Sequence, residues 1–301
     1  MLLLVIVVTL PFSLASIVDD VLGPATGKVF PLMKRPRTEM APTSTRLHLA
    51  VTSIDETRLT ATLRVSGHHM CSECAWTDRV LFVSLASDDG DAEGLPPSVS
   101  IALPQSNEGV SKVVDLPIRG FPIRYPFDRY DMVLAIALQR VYPDGRVETL
   151  APEQTPRQLS LSLQELLPSL LMSVPEAVDA AALRAPEDPV PYAAAYHVSF
   201  ERPRYLRVLA VLLVVLIASA AAYSVFLRPL ADLIVNSGAV VLGIWGVRGI
   251  LTPANLYHLT AVDLSLSMII LVLLGGLTVK ALLHAHDKGN LQILRRPRRG
   301  G

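Results

Sequence analysis

An unbroken run of 20 uncharged residues, Val208–Leu227, constrains this 301-residue chain more than any other feature. A helix rises about 1.5 Å per residue, so a run of this length can cross a hydrocarbon core about 30 Å thick. Only 18% of the chain is charged, against about 25% in ordinary soluble domains. We therefore predict a membrane-spanning helix rather than the buried helix of a soluble core. The polar residues before it are typical of a membrane interface: Arg202, Arg204, Tyr205 and Arg207.

A second predicted span, Leu264–Leu283, is apolar until Lys280, whose stem can reach the headgroups. The adjacent residues Gly275 and Gly276 would let a neighbouring helix approach closely.

The segment between these spans, Ala231–Val247, is more polar because it contains Asp232 and Asn236. Short connections join it to both neighbours, so we predict that it also crosses the membrane and is shielded by them. Residues 204–284 then form a three-helix transmembrane bundle.

Three ionisable residues fall within or beside these helices. Charges at membrane depth are costly and usually face a partner. We expect Arg248 and Asp263 to pair at the outer ends of two helices, and Asp232 to cap a helix start at the opposite face.

The N-terminal residues 1–17 form a further apolar segment, interrupted by Pro11. A signal peptide, cleaved near the small residues Ser13 to Ala15, and an uncleaved anchor are both consistent with it. Either would deliver the following chain across the membrane.

Four arginines crowd the basic tail at residues 285–301, which the positive-inside rule places in the cytoplasm. Three spans then place residues 18–203 outside. The arginines before the first span oppose this orientation.

Charge also separates the two parts of the chain. Ala41–Phe200 contains 12 basic and 20 acidic residues, whereas Lys280–Gly301 contains six basic and one acidic. No basic stripe with interleaved aromatic residues occurs, so nucleic acid is excluded as a partner.

Residues 18–43, rich in Pro and Gly, are predicted to be a linker, and residues 44–203 an exported antiparallel β-sandwich. The chain is thus an α+β membrane protein. Alternating apolar and polar residues mark the strands, with a turn at Pro143-Asp144-Gly145. Leu161–Leu171 is interpreted as a short helix. The candidate strands are Arg46–Ser53, Thr57–Ser66, Arg79–Ser87, Val99–Leu103, Val110–Pro117, Tyr130–Val141 and Tyr192–Phe200.

A distinctive motif, Tyr125-Pro126-Phe127-Asp128-Arg129-Tyr130-Asp131, precedes one of these strands. We expect Phe127 to close one end of the sandwich. We expect Asp128 to accept turn hydrogen bonds or to pair with an arginine such as Arg124 or Arg129. The functional alternative is that this loop faces the membrane helices and couples the two parts.

The motif resembles the YPFDxY motif of a membrane family called domain of unknown function 4436. The family has an exported domain and three C-terminal spans, with an Arg, a Pro and an Asp around the last outer loop. The matching residues here are Arg248, Pro253 and Asp263. The resemblance implies the same architecture but transfers no activity.

A weaker likeness is to pentameric ligand-gated channels, which have a sandwich, a PFD-type loop and an Arg-rich step into the first helix, here Phe200–Tyr205. The chain lacks their paired cysteines beside that loop and a fourth span. Its second helix lacks their pattern of pore-lining hydroxyl residues.

Four potential metal ligands, His68, His69, Cys71 and Cys74, lie within seven residues and include both cysteines. They can bind zinc or copper, whereas an exported domain favours a local disulfide between Cys71 and Cys74. A second cluster is interpreted as a solvated acidic turn rather than a calcium site: Asp88, Asp89, Asp91 and Glu93.

No nucleophile, zinc-protease, P-loop or dinucleotide motif occurs. We therefore expect a non-enzymatic membrane protein without a cofactor, whose exported domain binds or scaffolds a protein or ligand. The alternatives are an oligomeric, channel-like or transport protein and an extracytoplasmic metal-binding module.

Overall fold

The computed structural model describes residues 27–34, 43–71, 74–84, 98–105, 109–180, 190–227, 229–251 and 259–294. The described residues form two compact units, which divide between Pro203 and Arg204. Ile123–Pro126, from the motif loop, belong with the second unit. The predicted anchor or signal segment at residues 1–17 lies outside the described residues, as do the acidic cluster and Pro253.

Strands dominate the first unit. In chain order they are β1 Val29–Met33, β2 Thr43–Asp55, β3 Thr60–Cys71, β4 Thr77–Ser84, β5 Ser98–Ala102, β6 Gly109–Pro117, β7 Arg119–Gly120, β8 Arg129–Val141, β9 Val147–Thr149, β10 Leu159–Glu165, β11 Leu171–Met172, β12 Glu176–Val178 and β13 Ala194–Glu201. A short helix, α1, spans Thr155–Gln158.

The strands form two sheets. The first has the order β1-β10-β2-β3-β6, and the second is built on β11-β13-β8-β4-β5, with β12 paired to β13 and β7 and β9 paired to β8. One core contains buried side chains from both sheets, such as Leu49 and Leu163 from the first and Met132 and Ile136 from the second. The predicted β-rich domain is therefore present, and its alternating strands arise because successive side chains point to opposite faces.

Strand β8 is buried on both faces over its central residues. Leu134, Ile136 and Leu138 face the main core, while Ala135 and Ala137 pack in a smaller cluster with Tyr192. The turn after β8 is the predicted hairpin, with Gly145 at φ 85° and with the Arg146 amide donating to Asp144 Oδ1 at 3.0 Å.

Three details of the predicted domain are wrong. Leu161–Leu171 is not a helix, because the buried leucines of β10 alternate with half-buried polar residues, which is the period of a strand. Strand β10 pairs with β2 in parallel, so the β-rich unit is not wholly antiparallel. The predicted linker at residues 18–43 contains β1, which pairs with β10.

The second unit contains three long helices: α2 Arg204–Leu227, α3 Leu230–Leu251 and α4 Ala261–Leu294. Two segments of the described chain are long and apolar enough to cross a membrane, Arg204–Leu227 with mean hydropathy 2.6 and Ala261–His286 with 2.3. Helix α3 contains the polar residues Asp232, Asn236 and Arg248.

Each of these helices contacts the other two. Their shared core includes Leu233 and Ile244 of α3 and Leu273 of α4. The aromatic side chain of Tyr125 is buried in the same cluster. Helix α3 therefore buries one face in the second unit.

Candidate functional site

A buried ionic cluster lies where β13 ends. Arg202 Nε donates to Asp128 Oδ2 at 3.1 Å and to Oδ1 at 3.3 Å, and Arg202 Nη2 donates to Glu56 Oε1. The side chains of Arg202 and Asp128 are 1% and 0% exposed. The buried phenol of Tyr130 also interacts electrostatically with this cluster, which we call the Arg202 cluster.

Strand register brings these residues together. Glu201, the last residue of β13, pairs with Arg129, the first residue of β8. Arg202 directly follows β13, and Asp128 directly precedes β8. Both side chains therefore start from the same end of the sheet. Glu56 comes from the β2–β3 turn, which Asp55 organises by accepting hydrogen bonds from the amides of Thr57 and Arg58.

The Arg202 cluster has two carboxylates and one guanidinium. Burial raises the pKa of Glu56 despite the nearby Arg202, because a desolvated carboxylate is disfavoured in its charged form. Burial also raises the pKa of Tyr130, and the adjacent carboxylates add to this effect. The chemistry of the cluster is that of an internal brace joining a strand end, a loop and a turn.

The predicted roles within the YPFDRYD motif are partly corrected. Asp128 pairs with Arg202, not with Arg124 or Arg129, because the strand register places Arg202 beside it. Phe127 is 52% exposed and does not close the sandwich. Tyr125 and Tyr130 are instead the buried aromatic residues of the motif, with 1% and 0% exposure.

The four predicted metal ligands do not form one site. His68 is exposed and His69 is buried, because adjacent residues of β3 face opposite sides of the sheet. Cys71 and Cys74 are joined by a disulfide, so their sulfurs are not thiolate ligands. Within the described residues, no group of three or more His, Cys, Asp or Glu side chains is arranged to hold a metal ion.

His69 instead belongs to a second buried polar cluster. Its Nδ1 lies 2.8 Å from Thr45 Oγ1, and its Nε2 lies 3.8 Å from Asp78 Oδ2. Arg140 Nε lies 3.6 Å from Asp78 Oδ1, and the Arg140 guanidinium stacks 4.7 Å from the ring centroid of Trp76. These contacts connect strands of the two sheets.

Desolvation affects both titratable partners at the centre of this network. Burial lowers the pKa of His69 and raises that of Asp78, so each is favoured in its neutral form. Thr45, His69 and Asp78 resemble a nucleophile–base–acid series, but each is only 2% exposed. A substrate would have no access to them, so their arrangement is suited to bracing the sheets.

The second unit contains the predicted pair of charges. Arg248 Nε, near the end of α3, donates to Asp263 Oδ1 in the first turn of α4 at 2.7 Å. Asp263 Oδ2 accepts hydrogen bonds from the Thr260 amide and hydroxyl, each at 3.0 Å. Asp232 lies in the first turn of α3, where the helix dipole favours an acidic group.

No family model matches the chain, and no curated protein matches it. The family resemblance thus stays an expectation that depends on the YPFDxY motif and on Arg248, Pro253 and Asp263.

The sequence indicated several of these residues but not their partners. Asp128 was singled out by its motif, and an arginine partner was expected. Arg202 was interpreted only as an interface anchor. No electrostatic role was predicted for Glu56 or Tyr130. The available signal was an arginine at the end of the strand Ala194–Glu201, since a buried arginine demands a carboxylate partner.

Proposed function

We propose that this chain is a multi-pass membrane protein whose exported β-sandwich binds or scaffolds another component at the cell surface. The observation that carries the proposal is the short connection between β13 and α2. Only Arg202 and Pro203 separate the last strand of the folded domain from an apolar helix long enough to span a bilayer. A β-rich domain joined so closely to such a helix is held at a membrane surface.

The proposed topology places α2, α3 and α4 across the membrane, the C-terminus in the cytoplasm and residues 18–203 outside. Contacts with both neighbours support α3 as a third span, because they bury one of its faces, with Leu233 0% and Ile244 5% exposed. Arg202 is buried among carboxylates, so it does not act as a free interfacial charge against this orientation.

A binding role suits the chemistry better than catalysis. Two groups of ionisable side chains in the described β-rich unit, the Arg202 and His69 clusters, are buried and bridge strands. Apolar side chains are nevertheless exposed on this unit, including Val113 at 66% and Val174 at 67%. Exposed positions such as these can carry a photoreactive probe of contact with a partner.

Site-specific photocrosslinking in intact cells tests the proposal. A photoreactive amino acid at Val113 or Val174 is expected to give a protein adduct of defined mass. The matched position Leu242, 74% exposed on α3, is expected to crosslink to lipid or to nothing. If Leu242 gave protein adducts while Val113 and Val174 gave none, the result would contradict a binding role for the sandwich.

A channel-like oligomer is the second candidate. The observation that favours it is the ion pair between Asp128 of the PFD-type loop and Arg202 of the Arg-rich step. These are two of the features that carry the channel likeness. A channel is expected to form a ring of several chains in lipid nanodiscs and to conduct ions in planar bilayers, whereas a monomeric mass would exclude this candidate.

A further inference from the structure

A cleft lies on the second unit between α3 and α4. Its cavity volume is about 190 Å³. Aliphatic side chains line most of it, and polar groups lie at one end. The residues that matter for its chemistry are Ile244, Trp245, Arg248, Leu266, Ser267 and Ile270.

The ion pair at the polar end leaves part of Arg248 accessible. Within the described residues, Asp263 accepts hydrogen bonds on both of its oxygens, from Arg248 and from Thr260. Arg248 uses Nε for this contact, and its side chain remains 45% exposed. A guanidinium has five N–H donors, so its terminal groups can bind a second anion without breaking the ion pair.

Trp245 defines the environment of this guanidinium. The Arg248 guanidinium lies 5.9 Å from the Trp245 ring centroid, and Trp245 is 64% exposed. Exposed tryptophan and arginine side chains at the end of an apolar helix are typical of the headgroup region of a bilayer. The aliphatic part of the cleft then runs toward the hydrocarbon.

We propose that this cleft binds an anionic phospholipid, with the phosphate on the terminal N–H groups of Arg248 and an acyl chain along Ile244, Leu266 and Ile270. The inference rests on the proposed function, in that α3 and α4 must cross a membrane. Phosphate matches the forked donors of arginine. The aliphatic lining favours a lipid over free phosphate, because a soluble anion would gain nothing from it.

Native mass spectrometry of the full chain in detergent tests the site, with phosphatidylglycerol and phosphatidylcholine as the two probes. The unmodified chain is expected to bind phosphatidylglycerol more tightly. Arg248→Gln should weaken phosphatidylglycerol binding about tenfold, as expected for a lost charge-assisted contact. Arg248→Lys should keep most of the preference. Equal affinity for both lipids in the unmodified chain would overturn the proposal.

Two tryptophan substitutions test the position of the acyl chain. Ser267 is exposed and lines the cleft, so Ser267→Trp is expected to fill it and abolish tight binding. Leu271 is 64% exposed on the same helix and is not among the residues that line the cleft. Leu271→Trp is therefore expected to bind like the unmodified chain, and an equal loss in both variants would contradict the site.

Asp263→Asn distinguishes lipid binding by Arg248 from a purely structural ion pair between the two helices. It removes the internal anion but leaves Arg248, so phosphatidylglycerol binding should be retained or strengthened. If Arg248 only holds the helices together, Asp263→Asn and Arg248→Gln should weaken binding equally, which would overturn the proposal. Alkaline extraction of membranes tests the membrane-spanning function separately from the lipid site. An extractable chain contradicts the membrane-spanning function, whereas a membrane-integral chain without lipid preference contradicts the lipid site alone.

Discussion

Arg202 shows how a single residue can have a different role from the one its position in the sequence suggests. It precedes an apolar helix by two residues, yet its side chain is 1% exposed and is paired with two carboxylates. Sequence reasoning foresaw an arginine partner for Asp128 but chose neighbours in the chain. The true partner is 74 positions away, so only the pairing of β8 with β13 could identify it.

Arg202→Gln is expected to destabilise the β-rich unit by about 3–5 kcal/mol, because it leaves buried carboxylates without their cation. Urea unfolding of the full chain in detergent can be followed through Trp76 fluorescence in a Trp245→Phe background. Arg204→Gln is the control, since Arg204 is exposed two residues later, and it should change the unfolding free energy little. Equal effects of the two substitutions would exclude the proposed role of the Arg202 cluster.

His69 should make stability depend on pH. Burial lowers its pKa below the ordinary value of 6.5, so the folded state favours the neutral ring. Its stabilising contribution is complete above pH 6.5 and is lost as the pH falls through the lowered folded-state value. The loss can reach about 1.4 kcal/mol per pH unit.

The measurement is the unfolding free energy at several pH values between about 7 and 5, where imidazole titrates. His69→Gln should reduce the loss of stability with acidification. His68→Gln, on the exposed face of the same strand, should behave like the unmodified chain. A steeper pH dependence in His69→Gln would contradict the assignment.

At the scale of elements, the hydrophobic pattern predicted the correct secondary structure where its period was unambiguous. The alternation in β2, β3 and β8 predicted strands there. The apolar run predicted α2, because the length of a 20-residue helix matches the thickness of the hydrocarbon core of a bilayer. The prediction was wrong at β10, where a short leucine-rich segment was interpreted as a helix although its apolar residues recur with a period of two. Sequence also suggested that Gly275 and Gly276 allow close helix packing, and the structure separates their roles.

Gly276→Ala is expected to destabilise the packing of α4 against α2. A Cβ at residue 276 would lie 2.4 Å from Val225 Cγ1 and 2.9 Å from Cγ2, whereas one at residue 275 would have no heavy atom within 4 Å. Val225 is buried and β-branched, so it cannot easily rotate away.

The expected cost of this overpacking is about 1–3 kcal/mol. The midpoint of thermal unfolding in detergent should therefore fall for Gly276→Ala and stay equal or rise for Gly275→Ala, since alanine favours a helix. A lower midpoint for Gly275→Ala than for Gly276→Ala would show that the second glycine is not at the contact.

At the scale of the whole molecule, the division after Pro203 agrees with a change in composition that is visible in the sequence. The acidic, alternating part forms the strand-rich unit, and the apolar part forms the helical unit. The assignment of Ile123–Pro126 to the helical unit agrees with the alternative that the motif loop faces the helices, although nothing in the composition defines the bounds of these four residues.

The proposed topology predicts which surfaces a membrane-impermeant maleimide can reach. Cys71 and Cys74 are joined by a disulfide, so a single added cysteine can be labelled above the background. Ser111→Cys, at an exposed position of β6, should be labelled in intact cells. Gly301→Cys should be labelled only after permeabilisation, and the reverse pattern would invert the orientation.

The sequence by itself indicated two segments long and apolar enough to span a membrane, the positions of most strands and the pairing of Arg248 with Asp263. These features follow from local length, period and the cost of an unpaired charge near an apolar helix. The tertiary structure alone decided that His68 and His69 face opposite sides, that Asp128 meets Arg202 and Glu56, and that Tyr125 packs with the helices. Such contacts depend on strand register and on packing between residues far apart in the chain, which no local pattern contains.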